Sequence, residues 1–306
     1  MKFLFTLVIP IFLLIDTFAQ RPETQNFHYY YPVNHPYNYL LIAPGTLGPK
    51  ALPVPDVLAG EIGNDIHFKY TIENYFRKGG GDTGHLLNLN FRFPVVKNFM
   101  AFEFRWDLID HFHTTNKIRD IYQVYKDDPG WISEVGDLVI STYLQLLKEK
   151  KFIPSAMFSS SFKTTSGSVE NARYTDLPAH WHYLNFGKDL ARLNNFSLRV
   201  NGMAGVYIWQ TNQADLEQNE GFLWGAECQF SYKKLEMAFS TSGYNGWKWY
   251  GYDKPIILKG RIACKNKRFN YFAELKTGAR DYYYNLINVG INLHFISPFE
   301  LKRRSE

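Results

Sequence analysis

From about residue 62 onward the chain alternates apolar and polar residues along roughly a dozen successive segments. Between 62 and 76 the even positions read Ile62, Asn64, Ile66, Phe68, Tyr70 and Ile72, and the odd ones Gly63, Asp65, His67, Lys69, Thr71 and Glu73. Period two sends neighbouring side chains to opposite faces of a strand, so one face is greasy and the other charged. The pattern predicts strands over 62–76, 85–94, 98–112, 133–147, 152–164, 181–190, 195–209, 222–233, 235–243, 255–265, 268–280 and 284–295. Short connections (95–97, 148–151, 191–194, 233–234, 266–267) alternate with long ones, notably 113–132, 165–180, 210–221 and 244–254. Acids and bases on the inner face, with alternating connection lengths, predict an all-β, transmembrane antiparallel up-and-down β-barrel of about 12 strands over 61–306. Alternation alone also fits a soluble secreted β-barrel.

The first residues change the compartment. Lys2 precedes an apolar run from Phe3 to Leu14, followed by Thr17-Phe18-Ala19. This predicts a signal peptide over 1–19 with cleavage after Ala19, hence export to the outer membrane of a Gram-negative bacterium. Residues 20–60 break the pattern: Ala43-Pro44-Gly45 and Leu52-Pro53-Val54-Pro55-Asp56 forbid helix and central strand alike. They read as an irregular periplasmic leader or as a plug. The final strand, with Ile287, Val289, Ile291, Leu293 and Phe295 outward, resembles the terminal signal read by the barrel-assembly machinery.

Aromatic residues make up 17% of the chain, as aromatic girdles at two membrane interfaces require. The formal charge of +5 forms no basic block, which argues against nucleic acid. Cys228 and Cys264 fall on the lipid side two strands apart, beyond bridging range, and are expected as free thiols. The expected partners are outer-membrane lipid and lipopolysaccharide, the assembly machinery and a small-molecule solute; the expected state is a monomer.

Parity gives the lumen. The residues expected to line a path are Asp65, Lys69, Glu103, Arg105, Asp137, Arg199, Glu227, Arg261, Glu274 and Lys276. Mixed signs leave two readings: cross-strand pairs such as Glu103/Arg105 against Lys69/Asp65 knit the interior shut, or opposed walls set a transverse field across a narrow path.

Sites for bond-breaking chemistry are hard to find. No Ser–His–acid or amide cluster is legible. Asn64-Asp65 and Asp82-Thr83-Gly84-His85 offer a weak comparison with lipid A deacylases. The pairs His111-Phe112-His113 and His180-Trp181-His182 could each turn two imidazoles to one face, but read better as interfacial residues without a third ligand. No cofactor or metal is implied. The stretch 243–253 offers flat rings on a glycine-rich loop, with Tyr244, Trp247, Trp249, Tyr250 and Tyr252 as surface binding candidates for sugars or hydrophobic solutes; an aromatic belt is the simpler reading.

Gly136-Asp137, Ile153-Pro154 and Phe162-Lys163-Thr164-Thr165-Ser166-Gly167 together resemble the "meta-pathway phenol degradation" family of transporter-like outer-membrane barrels. That family closes a strand with Lys-x-Pro-Thr-Gly; here Thr-Ser replaces Pro-Thr. Arg173-Tyr174-Thr175-Asp176-Leu177-Pro178, Phe186-Gly187-Lys188-Asp189 and Leu52-Pro53-Val54-Pro55 resemble uncharacterised Gram-negative barrels. The resemblance implies passage of small hydrophobic or aromatic compounds. The expected function is therefore a narrow passive channel or uptake protein. A non-conducting surface binding or structural barrel and an outer-membrane lipid hydrolase are the alternatives.

Overall fold

The computed structural model describes residues 42–122, 124, 127–168, 171–213, 216–247, 252–266 and 268–295. The expected signal peptide and its cleavage point, residues 20–41, Trp249, Tyr250 and the tail after Phe295 lie outside them.

Among the described residues thirteen strands follow in chain order: β1 (Ile66–Arg77), β2 (Asp82–Val96), β3 (Met100–Thr114), β4 (Ile132–Glu134), β5 (Leu138–Leu147), β6 (Ser155–Lys163) and β7 (Ala179–Leu193). The rest are β8 (Phe196–Gln213), β9 (Leu216–Tyr232), β10 (Leu235–Gly246), β11 (Ile256–Lys265), β12 (Phe269–Arg280) and β13 (Tyr284–Phe295). Each long strand pairs antiparallel with its neighbours, and β1 closes the ring on β13, with Ile66 opposite Phe295 and Arg77 opposite Tyr284. The short β4 is an extra strand on the C-terminal half of β3, beyond the stretch that pairs with β5. Closure leaves no edge, which lets a sheet sit in lipid.

The outward face is apolar. Ile72 and Leu275 are each 54% exposed, and Ile109, Ile287 and Val289 share their face. A soluble monomer rarely leaves such a belt uncovered, whereas a membrane-spanning barrel needs one. Phe91 and Phe93 stack at 5.3 Å on this side, with Phe68 against Phe91 at 4.8 Å. Cys228 and Cys264 face outward as free thiols. Among the described residues no helix is long and apolar enough to cross a membrane.

One end of the barrel carries the tight turns after β2, β7, β9 and β11. Asn98, Asn194 and Lys233 take left-handed backbone there, a conformation that asparagine tolerates. The opposite, loop end holds the longer excursions 115–131 and 164–178, the former with a helix α1 (Asn116–Ile121). At that end Gly79, Gly80 and Gly81 all adopt positive φ, so the β1–β2 turn depends on glycine.

Three expectations need correction. The predicted loop 210–221 is largely a hairpin, because β8 runs to Gln213 and β9 starts at Leu216. Beyond the apolar belt the ladder continues without needing a greasy face, so alternation stops before the strand does. The predicted strand 133–147 is interrupted at 135–137, where the Gly136 N–H donates to the Asp107 carbonyl at 2.7 Å. The predicted surface residue Tyr244 is instead fully buried in the lumen on β10.

Candidate solute site in the lumen

The lumen contains a guest from its own chain. Residues 42–62 run from the loop end to the turn end inside the barrel, where proline prevents a ladder. Wall side chains supply the missing backbone partners. Trp209 Nε1 donates to the Ile42 carbonyl at 3.1 Å, and the Tyr244 hydroxyl to the Leu52 carbonyl at 3.1 Å. Further down, Arg199 Nη2 donates to the Ala59 carbonyl at 2.8 Å, and Gln145 brackets the exit. Its Nε2 donates to the Gly60 carbonyl at 2.8 Å, and its Oε1 accepts from the Ile62 N–H at 2.7 Å. Gly187 allows the approach: a Cβ there would lie 2.2 Å from the Ala59 carbonyl oxygen.

Charged contacts pin the segment. Lys50 meets Glu73 of β1 at 2.7 Å. Asp56 accepts from Lys259 of β11 at 3.2 Å and from Lys276 of β12 at 3.3 Å. At the turn end Arg199 bonds Glu149 at 2.7 Å and Asp189 at 2.9 Å beside the segment's exit. Burial alone would raise the Glu149 carboxyl, but Lys188, the Asp189 N–H and Arg199 hold it down at about 2.

The two halves of the lumen differ. The loop-end half is packed with rings. Tyr244 stacks on Tyr207 at 4.2 Å, Tyr207 stacks on Trp181 at 5.1 Å, and Ile42, Leu47, Ala51 and Leu52 join the same core. Loop 164–178 folds inward and delivers Arg173, which has no exposed surface. Its guanidinium bonds Asp82 at 2.6 Å, approaches Asp110 at 3.7 Å, and donates to the Tyr75 hydroxyl, while Tyr284 donates to Asp82. Among the described residues this half is densely packed.

The turn-end half holds water-sized space. A cavity of about 410 Å³ lies between the segment (Pro55 to Ala59) and the wall. A smaller one of about 80 Å³ lies deeper, and the two share Asp56, Lys69, Asn88, Arg105 and Glu274 as lining. Their rims carry both signs. Arg92 pairs with Glu103 at 2.6 Å, and Arg261 reaches Glu236 at 3.5 Å and Glu274 at 3.7 Å.

Of the ten residues expected to line a path, Lys69, Glu103, Arg105, Glu227, Arg261 and Glu274 face the larger cavity and Lys276 the smaller. The other three do not. Asp65 is exposed beyond the turn end, because β1 starts at Ile66. Asp137 is buried under loop 164–178, where it takes Lys163 at 2.6 Å and the Gly167 N–H at 2.8 Å. Arg199 is committed to Glu149 and Asp189. The expected pairing of Glu103/Arg105 with Lys69/Asp65 also fails, because β2 separates β1 from β3 and supplies Arg92 to Glu103.

Sequence reasoning missed Asp110 and Arg173. A bulge at Leu108 flips the parity of β3: Asn88 faces Asp107 while Leu87 faces Ile109, so Asp110 turns inward. Arg173 lies in a loop, where no periodicity exists to place it. Of the loop candidates, Tyr252 packs on Gly45 and Trp247 stays 65% exposed. His85, His111 and His113 face Trp131 on the outside, with centroids at 5.7, 5.0 and 6.0 Å. His180 and His182 contact each other at 3.3 Å between ring nitrogens. Among the described residues no group of three or more His, Cys, Asp or Glu is placed to hold a metal ion.

No family model matches the chain, and no curated protein matches it. Solved structures do. An outer membrane channel from Pseudomonas putida F1 superposes with a TM-score of 0.52 over 80% of this chain and 97% of that one, at 10% identity. A KdgM porin gives 0.43 over 74% and 99%, also at 10% identity. The likeness to the Pseudomonas channel is one of fold: the chain is built as a membrane-spanning β-barrel of the outer-membrane kind.

Proposed function

We propose that the protein is a narrow passive channel or uptake barrel of the outer membrane for small solutes, its tight turns in the periplasm and segment 42–62 as its restriction. The observation that carries this reading is the charged cavity of about 410 Å³ beside the threaded segment inside a closed barrel. Barrels of this class keep short turns and both strand termini on the periplasmic side, which orients the loop end outward. Solute entering from outside then meets the packed rings and the Arg173 cluster, so passage requires the segment or loop 164–178 to shift. The densely packed loop-end half favours a second reading, a barrel that binds without conducting.

The deciding experiment is single-channel recording in a planar bilayer, on the full protein and on a variant lacking the segment before Gly60. Current steps in the full protein establish a pore, and steps only after removal make the segment a plug. Silence in both overturns the channel and leaves the binding barrel.

A further inference from the structure

The larger cavity has an ordered wall. Lys69 of β1 is the register partner of Asn90 of β2, and Asn90 is the partner of Arg105 of β3. Val139 of β5 lies next to Arg105 in the same row, and all four line the cavity. Adjacent strands lie about 4.8 Å apart, so two cations flank one amide across roughly 10 Å of wall.

Neither cation is neutralised at close range. Among the described residues no carboxylate oxygen lies within 4.0 Å of Lys69 or Arg105. The Lys69 ammonium rests 4.6 Å from the centre of the Phe272 ring. Of the carboxylates nearby, Asp56 is engaged by Lys259 and Lys276 and Glu103 by Arg92, while Glu274 is shared at longer range between Arg261, at 3.7 Å, and the charge of Lys69. Beside this row the surface turns apolar, with Val139, Tyr143, Trp181 and Tyr183 lining the same space. On β9, across the ring from β2, Glu227 accepts from the Asn201 amide at 3.0 Å and would repel a second negative charge.

We propose that the Lys69–Asn90–Arg105 row binds the carboxylate of a small monoanionic solute whose apolar body lies against Val139, Tyr143 and Trp181. This names a solute class for the channel and rests on that reading. A guanidinium and an ammonium bracketing an amide offer charge-assisted donors to a carboxylate, and partial burial strengthens them. A cavity of this volume lies within the range of ordinary small-molecule sites.

Benzoate is the probe, with benzyl alcohol and benzylamine as neutral and cationic controls of similar size. Equilibrium dialysis against the full purified protein should show saturable retention of benzoate and none of the controls. Lys69→Gln and Arg105→Gln should each weaken it by about tenfold, the worth of one hydrogen bond to a charged group. Arg105→Glu should shift preference towards benzylamine. Equal retention of all three probes, or unchanged benzoate binding in the folded double variant, overturns the site. The probe comparison uses the unaltered protein, so it decides even if a substitution fails to fold. Potassium chloride conductance without benzoate tests the channel separately. A conducting barrel blind to probe charge sinks only the site, and a silent barrel that retains benzoate sinks only the channel.

Discussion

Asp56 of the threaded segment accepts a hydrogen bond from Lys259 of β11 at 3.2 Å, and this contact ties a chain that forms no ladder to the barrel wall. Lys276 of β12 reaches the same carboxylate at 3.3 Å, so one acid balances two cations. Asp56→Ala leaves both lysines facing each other without it. The expected result is a segment cut faster by protease, with longer or more frequent open events in bilayer recordings. Unchanged cleavage and gating would show that Lys50, Arg199 and the apolar contacts hold the segment alone.

Arg173 is a costly side chain to remove from the loop-end half. It has no exposed surface, and its partner Asp82 has none either. Arg173→Met should destabilise the barrel by about 3–5 kcal/mol, because it strands a buried carboxylate. Adding Asp82→Asn should restore part of that loss. Thermal unfolding, followed by the heat-dependent shift in gel migration, reads both; an additive double variant would deny the coupling.

Glu149 sets an acid limit on the turn-end latch. Its carboxyl is held at about 2 in the folded protein, against about 4.3 for an unperturbed glutamate. A carboxyl depressed on folding contributes stability that is fully present above the unfolded value and is lost as pH falls through the folded one. The melting temperatures of the parent and Glu149→Gln should therefore differ by a constant amount near neutrality. They should converge between about pH 4 and pH 2. A gap that persists below pH 2 would assign the effect to packing.

Tyr244 and Trp247 separate a core role from a surface one. Tyr244 is fully buried and stacked on Tyr207, whereas Trp247 is 65% exposed. Tyr244→Ala should cost about 3 kcal/mol or more, in line with emptying an aromatic site in a packed core. Trp247→Ala should change stability by about 0.5 kcal/mol or less. Equal melting curves for the two variants would contradict the burial.

By itself the sequence determined the barrel. Period-two alternation placed the strands to within a few residues for most of the chain, and put Lys69, Glu103 and Arg105 inside and Ile287 and Val289 outside. That is legible because the face of a side chain in a strand follows from backbone geometry alone. It also determined that the proline-rich stretch ending at Gly60 could be neither helix nor central strand, since proline denies both. Only the tertiary structure decided where that segment goes. Its backbone groups pair with Trp209, Tyr244, Arg199 and Gln145, residues more than 80 positions away in sequence that closure of the ring brings around one axis. Pairing of β5 with β6 likewise decided that Asp137 and Lys163 meet: two motifs 26 residues apart become one buried contact. The bulge at Leu108 turned Asp110 towards Arg173, a change of face invisible to a strict two-residue period. Local geometry fixes which way a side chain points, and pairing around a closed barrel fixes what it meets.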